Sequence, residues 1–150
     1  MNISPLPPAD RTALGATHLI SIDHEDLTET TNNTAQTVTL AVVDGSLFQL
    51  VAMRLVIPFQ DADDAAFNST TLTIGDGDDA DRYLAATQLN VNGTEIDYAA
   101  GLSVGYAYNA ADTVDFAFGS MSGKALADID TGEVALYVRV ADLNHFGPHQ

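Results

Sequence analysis

The residues best suited to chemistry lie in one acidic loop, Asp76-Gly-Asp-Asp-Ala-Asp81. Several carboxylates crowded into one short loop supply the oxygen ligands that calcium prefers. The spacing departs from an EF-hand, because Ala80 stands where a third acid is required and Asp81 where the glycine is required. If the loop binds calcium, the candidate ligands are Asp76, Asp78, Asp79 and Asp81.

The same loop has a purely structural interpretation. Gly75 and Gly77 would supply turn conformations, while Asp side chains cap backbone amides. Arg82 would neutralise a neighbouring carboxylate. Both interpretations stay open at this point. The next residues, Tyr83 and Leu84, are typical of a chain that returns to a core.

A serine-centred pattern, Gly101-Leu-Ser103-Val-Gly105, matches the G-x-S-x-G elbow of hydrolases. Asp128 and His145 follow in the order Ser, Asp, His. The elbow requires a strand-to-helix turn, whereas Ser103 lies in an alternating pattern that continues to Tyr108. We therefore expect no enzyme.

The histidines do not form a zinc pattern, because none has the close clustered spacing that zinc ligands show. The chain also has no cysteine. Beyond the calcium hypothesis, we expect no cofactor. The four histidines are His18, His24, His145 and His149.

The net charge of the chain argues against nucleic acid and anionic membranes as partners. The 150 residues carry 5 Lys and Arg against 21 Asp and Glu, a formal net charge of −16. This sign is wrong for the phosphate backbone of nucleic acid and for an anionic membrane surface. Because 17 of the acids are Asp, which favours turns and caps, the charge is expected mainly in loops.

Period-two alternation of apolar and polar residues dominates from His18 onward and predicts about eight short strands. The Asn92-Gly93 pair is a strong hairpin signal. The spacing of the turns predicts an all-β fold, an antiparallel β-sandwich or jelly roll with at most one short helix. That helix is expected within 80–88.

The longest strand candidate runs from Leu47 to Phe59, and neither of its faces is cleanly polar. We expect its core face to be Val51, Met53, Leu55, Ile57 and Phe59. Since the opposite face is also partly apolar, either both sheet faces are covered within the domain or a partner covers part of the surface.

The prolines near the start divide the chain. Pro5, Pro7 and Pro8 favour an extended, polyproline-like segment. We expect residues 1–16 to form an extended arm and residues 17–150 to form a single sandwich domain. The alternatives for the arm are a frayed terminus and a contact on a neighbouring subunit.

Three further residues are candidates for subunit contact. Arg54 and Arg139 lie on the non-core faces of the two most apolar strands, and Tyr137 shares a face with Arg139. In a chain with so few basic groups, each arginine is expected to pair with an acid of its own chain or with a neighbouring subunit.

Two segments resemble a group of small virion proteins of tailed phages. One is the run from Gly75 to Ala85, with its Gly-Asp start and its aromatic-Leu-Ala end; the other is the apolar strand Val51–Phe59 with a single arginine. The resemblance implies a head decoration, or cement, protein. Such a protein would be a homotrimer that bridges major capsid protein subunits on the outer surface of the virion. Arg82 departs from the small residue expected in that run.

Two other classes remain. A tail or baseplate structural protein of the same kind of phage would share these features. A carbohydrate-binding β-sandwich normally needs exposed aromatic residues, and this chain has no Trp and 5 Tyr.

Overall fold

The structure is a computed structural model that describes residues 1–63, 69–89, 98–100, 102–119 and 122–145. The hairpin predicted at Asn92-Gly93 lies outside these ranges. The described residues form one α-helix, ten β-strands and three single-turn 3₁₀ helices. The helix is α1 (Pro8–Leu14), and the strands are β1 (Asn2–Pro5), β2 (His18–Asp23), β3 (Gln36–Val42), β4 (Ser46–Gln60), β5 (Thr71–Asp76), β6 (Leu84–Gln88), β7 (Tyr98–Ala100), β8 (Tyr106–Ala107), β9 (Asp112–Gly119) and β10 (Thr131–Asp142).

The strands form two antiparallel sheets. The first has the order β1-β2-β10-β4-β7, with β8 pairing further along β4, and the second has the order β3-β9-β5-β6. β4 and β10 form the longest pair, with Ser46 opposite Asp142 at one end and Gln60 opposite Thr131 at the other. The predicted all-β sandwich is confirmed.

The core lies between the two sheets, where the alternation in β2, β9 and β10 directs every second side chain inward. Phe59 of β4 meets Phe118 of β9 across the core, with ring centroids 5.7 Å apart. Burial of each such side chain is worth roughly 1.5–3 kcal/mol. The fully buried members of these three strands are Ile20, Ile22, Val114, Phe116, Phe118, Val134, Leu136 and Val138.

The core face predicted for β4 is partly wrong. Leu50 and Met53 are both buried, although two residues lie between them where a regular strand has one. The register against β10 shifts at this point, as a β-bulge requires. The bulge changes the phase of the alternation, which leaves Val51 half-buried. A second register shift against β10 follows at Ile57, which is 45% exposed, and Phe59 is again fully buried.

The expected arm at 1–16 is also wrong, because this segment folds onto its own domain. β1 pairs with β2, with Asn2 opposite Ser21 and Pro5 opposite His18. The amino group of Met1 forms an ion pair with Asp26.

α1 follows directly after β1. Pro7 is its N-cap and Pro8 its first residue, a position where proline's missing N–H costs nothing. Gly15 ends the helix in the left-handed conformation, with φ of 69°. Within the ranges the structure describes, no helix is both long and apolar enough to cross a membrane.

The helix expected within 80–88 is absent from the described residues 80–88, since Leu84–Gln88 forms β6 and pairs with β5. The backbone N–H of Tyr83 donates to Ile74 at 2.9 Å, so strand pairing begins as soon as the acidic loop ends. Tyr83 and Leu84 are buried, as predicted for a return to the core.

Candidate functional site

The acidic loop is organised around one buried carboxylate, that of Asp76 at the end of β5, which is 4% exposed. Its Oδ1 accepts the backbone N–H groups of Asp78 at 3.1 Å and Asp79 at 2.9 Å. Its Oδ2 accepts Nε of Arg82 at 2.5 Å and the hydroxyl of Tyr108 at 3.1 Å. With four donors in place, this carboxylate already has a full set of partners inside the protein.

Three tyrosines extend this network into the core. The hydroxyls of Tyr83 and Tyr108 lie 2.6 Å apart, and the ring of Tyr83 packs edge-on against Phe48 at 4.9 Å. The guanidinium of Arg82 lies 3.8 Å above the ring centre of Tyr106. That face of Tyr106 is therefore covered and not open to a stacked sugar.

The surroundings fix the charge state of each group. Burial works against ionisation of Asp76, but hydrogen bonds from Arg82, from backbone amides and from Tyr108 outweigh it and lower the pKa of Asp76 below its ordinary value. Burial raises the pKa of Tyr83 to about 12 and also raises that of Tyr108. At neutral pH the network is an ionised carboxylate bound by an arginine and a protonated tyrosine.

Position 75 requires glycine because the backbone of the acidic loop passes very close to it. A Cβ at this position would lie 2.2 Å from the carbonyl carbon of Ala80 and from the carbonyl oxygen of Asp79. Neither Gly75 nor Gly77 has a positive φ, so neither position depends on the left-handed conformation that favours glycine.

The calcium hypothesis is not supported by this geometry. Asp78, Asp79 and Asp81 are exposed, while Asp76 is turned inward onto Arg82. Across the described part of the chain, no three Asp, Glu or His side chains gather around a point that could hold a metal ion. The loop is a structural clamp, as its second interpretation predicted.

The serine pattern has a structural use. The hydroxyl of Ser103 accepts from the N–H of Leu50 at 3.0 Å and donates to its carbonyl at 3.2 Å. Residues 102–105 are not in a strand, contrary to expectation, and β8 begins only at Tyr106. Asp128 accepts the N–H of Ala125 at 3.1 Å. Gly101 and His149 lie outside the described residues.

The predicted contact residues fall into two groups. Pro5, Pro7 and Pro8 belong to β1 and the start of α1. The register of β4 and β10 places Arg54, Tyr137 and Arg139 together on the outer face of the first sheet.

Among the described residues, Arg139 is hydrogen-bonded to a backbone carbonyl. Its Nε donates to the carbonyl oxygen of Gly15 at 3.1 Å, where it holds the end of α1. Arg54 is exposed, and Tyr137 is half-buried.

One end of the sandwich exposes large apolar side chains that the sequence analysis missed. Val43 is 62% exposed, Val104 is 84% exposed and Leu143 is 39% exposed. The N–H of Leu143 donates to Gly45 in the β3–β4 turn at 2.8 Å, and Gly105 packs beside Leu47. These contacts bring the three segments to the same end, and we call Val43, Val104 and Leu143 the turn-end patch. Val43 could have been found, because it breaks the alternation of β3 immediately before a turn.

An apolar cleft of about 190 Å³ opens next to this patch, between an edge of each sheet. β1 is the last strand of the first sheet on this side, and β3 is the last strand of the second. Val43 lines both the cleft and the patch. The main apolar residues of the cleft are Ile3, Ile20, Leu40, Val42, Val138 and Val140.

Comparison with known proteins adds no relative. No protein-family model, no curated protein and no solved structure matches the chain.

Proposed function

We propose that this chain is a structural protein of a tailed-phage virion, a decoration protein bound to the outer surface of the capsid. The observation that carries the proposal is the turn-end patch. Large apolar side chains exposed at one end of an otherwise strongly acidic domain are typical of a surface that a protein partner covers. The likeness of the Gly75–Ala85 and Val51–Phe59 segments to phage decoration proteins supplies the kind of partner, the major capsid protein.

The charge supports a position outside the shell. A domain with a formal net charge of −16 would be repelled by packaged DNA, whereas the outer surface places no polyanion beside it. The same charge is a reason for the partner surface to be neutral or basic.

The proposed action is mechanical. A protein that binds only the assembled shell stabilises it by mass action, by about 2.7 kcal/mol for each site when the free protein is at a hundred times its Kd. A homotrimer would contribute three patches at once, so modest affinity at each patch gives firm attachment.

The patch takes over the role that the sequence analysis gave to the arm. Since β1 pairs with β2, Pro5 belongs to the domain's own sheet, and Pro7 and Pro8 form the start of α1. We therefore assign the capsid contact to Val43, Val104 and Leu143.

The test is co-sedimentation of the purified protein with empty shells assembled from the major capsid protein of the same virus. Val104→Asp places a charge in the most exposed apolar position and should weaken binding at least about tenfold, equivalent to about 1.4 kcal/mol. Ile57→Asp is the matched control, because Ile57 is 45% exposed and lies eleven residues from Ser46 along β4, roughly 36 Å away. Equal binding of the two variants, or no binding of the wild type, would overturn the proposal.

A further inference from the structure

We infer that the outer edge of β3, which is unpaired among the described residues, and the cleft beside it form a docking site for an extended strand of a partner protein, uncharged in its middle and basic at both ends. This goes beyond capsid attachment, because it specifies the conformation and the chemistry of the segment that binds.

The edge strand β3 is itself suited to pairing with another strand. β3 is seven residues long, has no charged residue and no proline, and four of its residues are the β-branched Thr37, Val38, Thr39 and Val42. Natural proteins usually protect such an edge with charge, proline or a bulge, because alternate backbone groups point outward and can pair with another strand. β1, the neighbouring free edge, is only four residues long and ends in Pro5. Among the described residues, the backbone hydrogen bonds of Thr37–Ala41 all run to β9.

The cleft that β3 borders has room for apolar side chains of a bound strand. Val38, Leu40 and Val42 point toward the sandwich interior, yet Val38 and Leu40 are only partly buried. An apolar cavity of about 150 Å³ accepts a benzene-sized group. A cleft of about 190 Å³ therefore has room for one large or two small apolar side chains. A strand added to β3 would direct every second side chain toward it.

The acidic residues near the two ends of β3 indicate the charge of the bound strand. β3 is neutral, but acids stand near both of its ends: Glu29, whose backbone N–H donates to the side chain of Gln36, and Asp44, two residues beyond Val42. A strand with Lys or Arg at each end would meet these acids. A second copy of this chain, adding its own β3 in antiparallel fashion, would instead bring acids against acids at both ends. The observations therefore favour a different protein over self-association.

The cleft is continuous with the turn-end patch through Val43. A bound segment that leaves the cleft at this end would pass directly onto the patch. We take the shell protein as the donor of this strand, and in that one respect the inference rests on the proposed function.

The test uses a labelled nine-residue peptide, KKVTVTVKK, and fluorescence anisotropy with the full chain. We expect KKVTVTVKK to bind saturably and EEVTVTVEE to bind at least tenfold more weakly. Two further peptides carry N-methyl groups on opposite backbone edges of KKVTVTVKK. Because only one edge can pair with β3, one of these two peptides should lose binding. Equal binding of both methylated peptides and their parent would exclude strand addition.

Variants of the protein locate the site. Leu40→Ser removes apolar surface from the cleft and should weaken the binding of KKVTVTVKK at least tenfold. Ile57→Ser, at the opposite end, should bind as the wild type does. Thermal unfolding of each variant shows that it is folded. Equal peptide affinity for Leu40→Ser and the wild type would place binding elsewhere and overturn the inference.

Two further outcomes separate the claims. If a concentration-dependent dimer forms in sedimentation experiments and Leu40→Ser abolishes it, the occupant is a second copy and the inference is wrong. Shell binding without peptide binding would remove only the strand site, whereas peptide binding without shell binding would remove only the capsid proposal.

Discussion

Replacing Asp76 should destabilise the domain far more than replacing any of its acidic neighbours in the loop. Asp76→Ala removes the acceptor of four donors: two backbone amides, Nε of Arg82 and the hydroxyl of Tyr108. The side chain of Arg82 is 21% exposed and can regain water, but Tyr108 is only 3% exposed and cannot easily do so.

The magnitude follows from these contacts. A buried donor left without a partner costs roughly 1–3 kcal/mol, and breaking a buried ion pair roughly 3–5 kcal/mol. Because Arg82 and the loop amides are close to solvent, we place Asp76→Ala near the lower end, at about 3 kcal/mol. For a chain of this size, that corresponds to a decrease in Tm of roughly 6–12 °C.

The assay is urea unfolding followed by circular dichroism, with Asp78→Ala as the matched control. Asp78 is an exposed acid two residues away, and only its backbone N–H serves the network. Its replacement should change the free energy of unfolding by no more than about 0.5 kcal/mol. A loss below about 1 kcal/mol for Asp76→Ala, a value typical of an ordinary single hydrogen bond, would refute the clamp.

The pH dependence gives an independent check. The pKa of Asp76 is lowered on folding, so the unfolded chain binds the proton more readily. The stability that Asp76 contributes is complete above its ordinary pKa of about 3.9 and is lost as the pH falls through the lower folded value. The difference between the wild type and Asp76→Asn should therefore shrink in acid; a constant difference down to pH 2 would contradict this reasoning.

Three other predictions follow from the same geometry. Gly75→Ala should cost about 2–3 kcal/mol in chemical unfolding, whereas Gly105→Ala, whose Cβ meets Leu47 at an ordinary 3.6 Å, should be nearly neutral; equal effects would contradict the close approach. Since the pKa values of Tyr83 and Tyr108 are raised on folding, their contribution to stability is complete below about pH 10 and lost above it. Absorbance titration at about 295 nm should show two of the 5 tyrosines ionising late, and simultaneous ionisation of all five would be the contrary result. Because the net charge is −16, added salt should raise Tm by screening repulsion, and a Tm independent of salt would contradict this.

The fold class was predictable because two-residue alternation survives wherever a strand is regular. In β9, Val114, Phe116 and Phe118 alternate without interruption, and all three are buried as expected. In β4 the same reasoning placed Leu50 outside the core and Ile57 inside it, both wrongly, because register shifts against β10 change the phase and leave no mark in residue types.

The prediction of an extended arm at residues 1–16 failed for a different reason. Prolines at Pro5, Pro7 and Pro8 are compatible with an extended chain, but also with a short edge strand and the first turn of a helix. Only the pairing of β1 with β2 decides between them.

The candidate sites were predictable to different degrees. The partnership of Arg82 with a loop carboxylate followed from charge and proximity in sequence. The role of Tyr108 did not, because thirty-two residues separate it from Asp76 and only the fold brings them together. The turn-end patch was missed because its members come from three segments far apart in sequence, which only the fold brings to one end of the sandwich.

Electron cryomicroscopy of intact virions tests the central claim most directly. The account predicts density for this sandwich on the outside of the head, with Val43, Val104 and Leu143 facing the major capsid protein. Density confined to the tail or baseplate, or virions that lack this protein altogether, would contradict it.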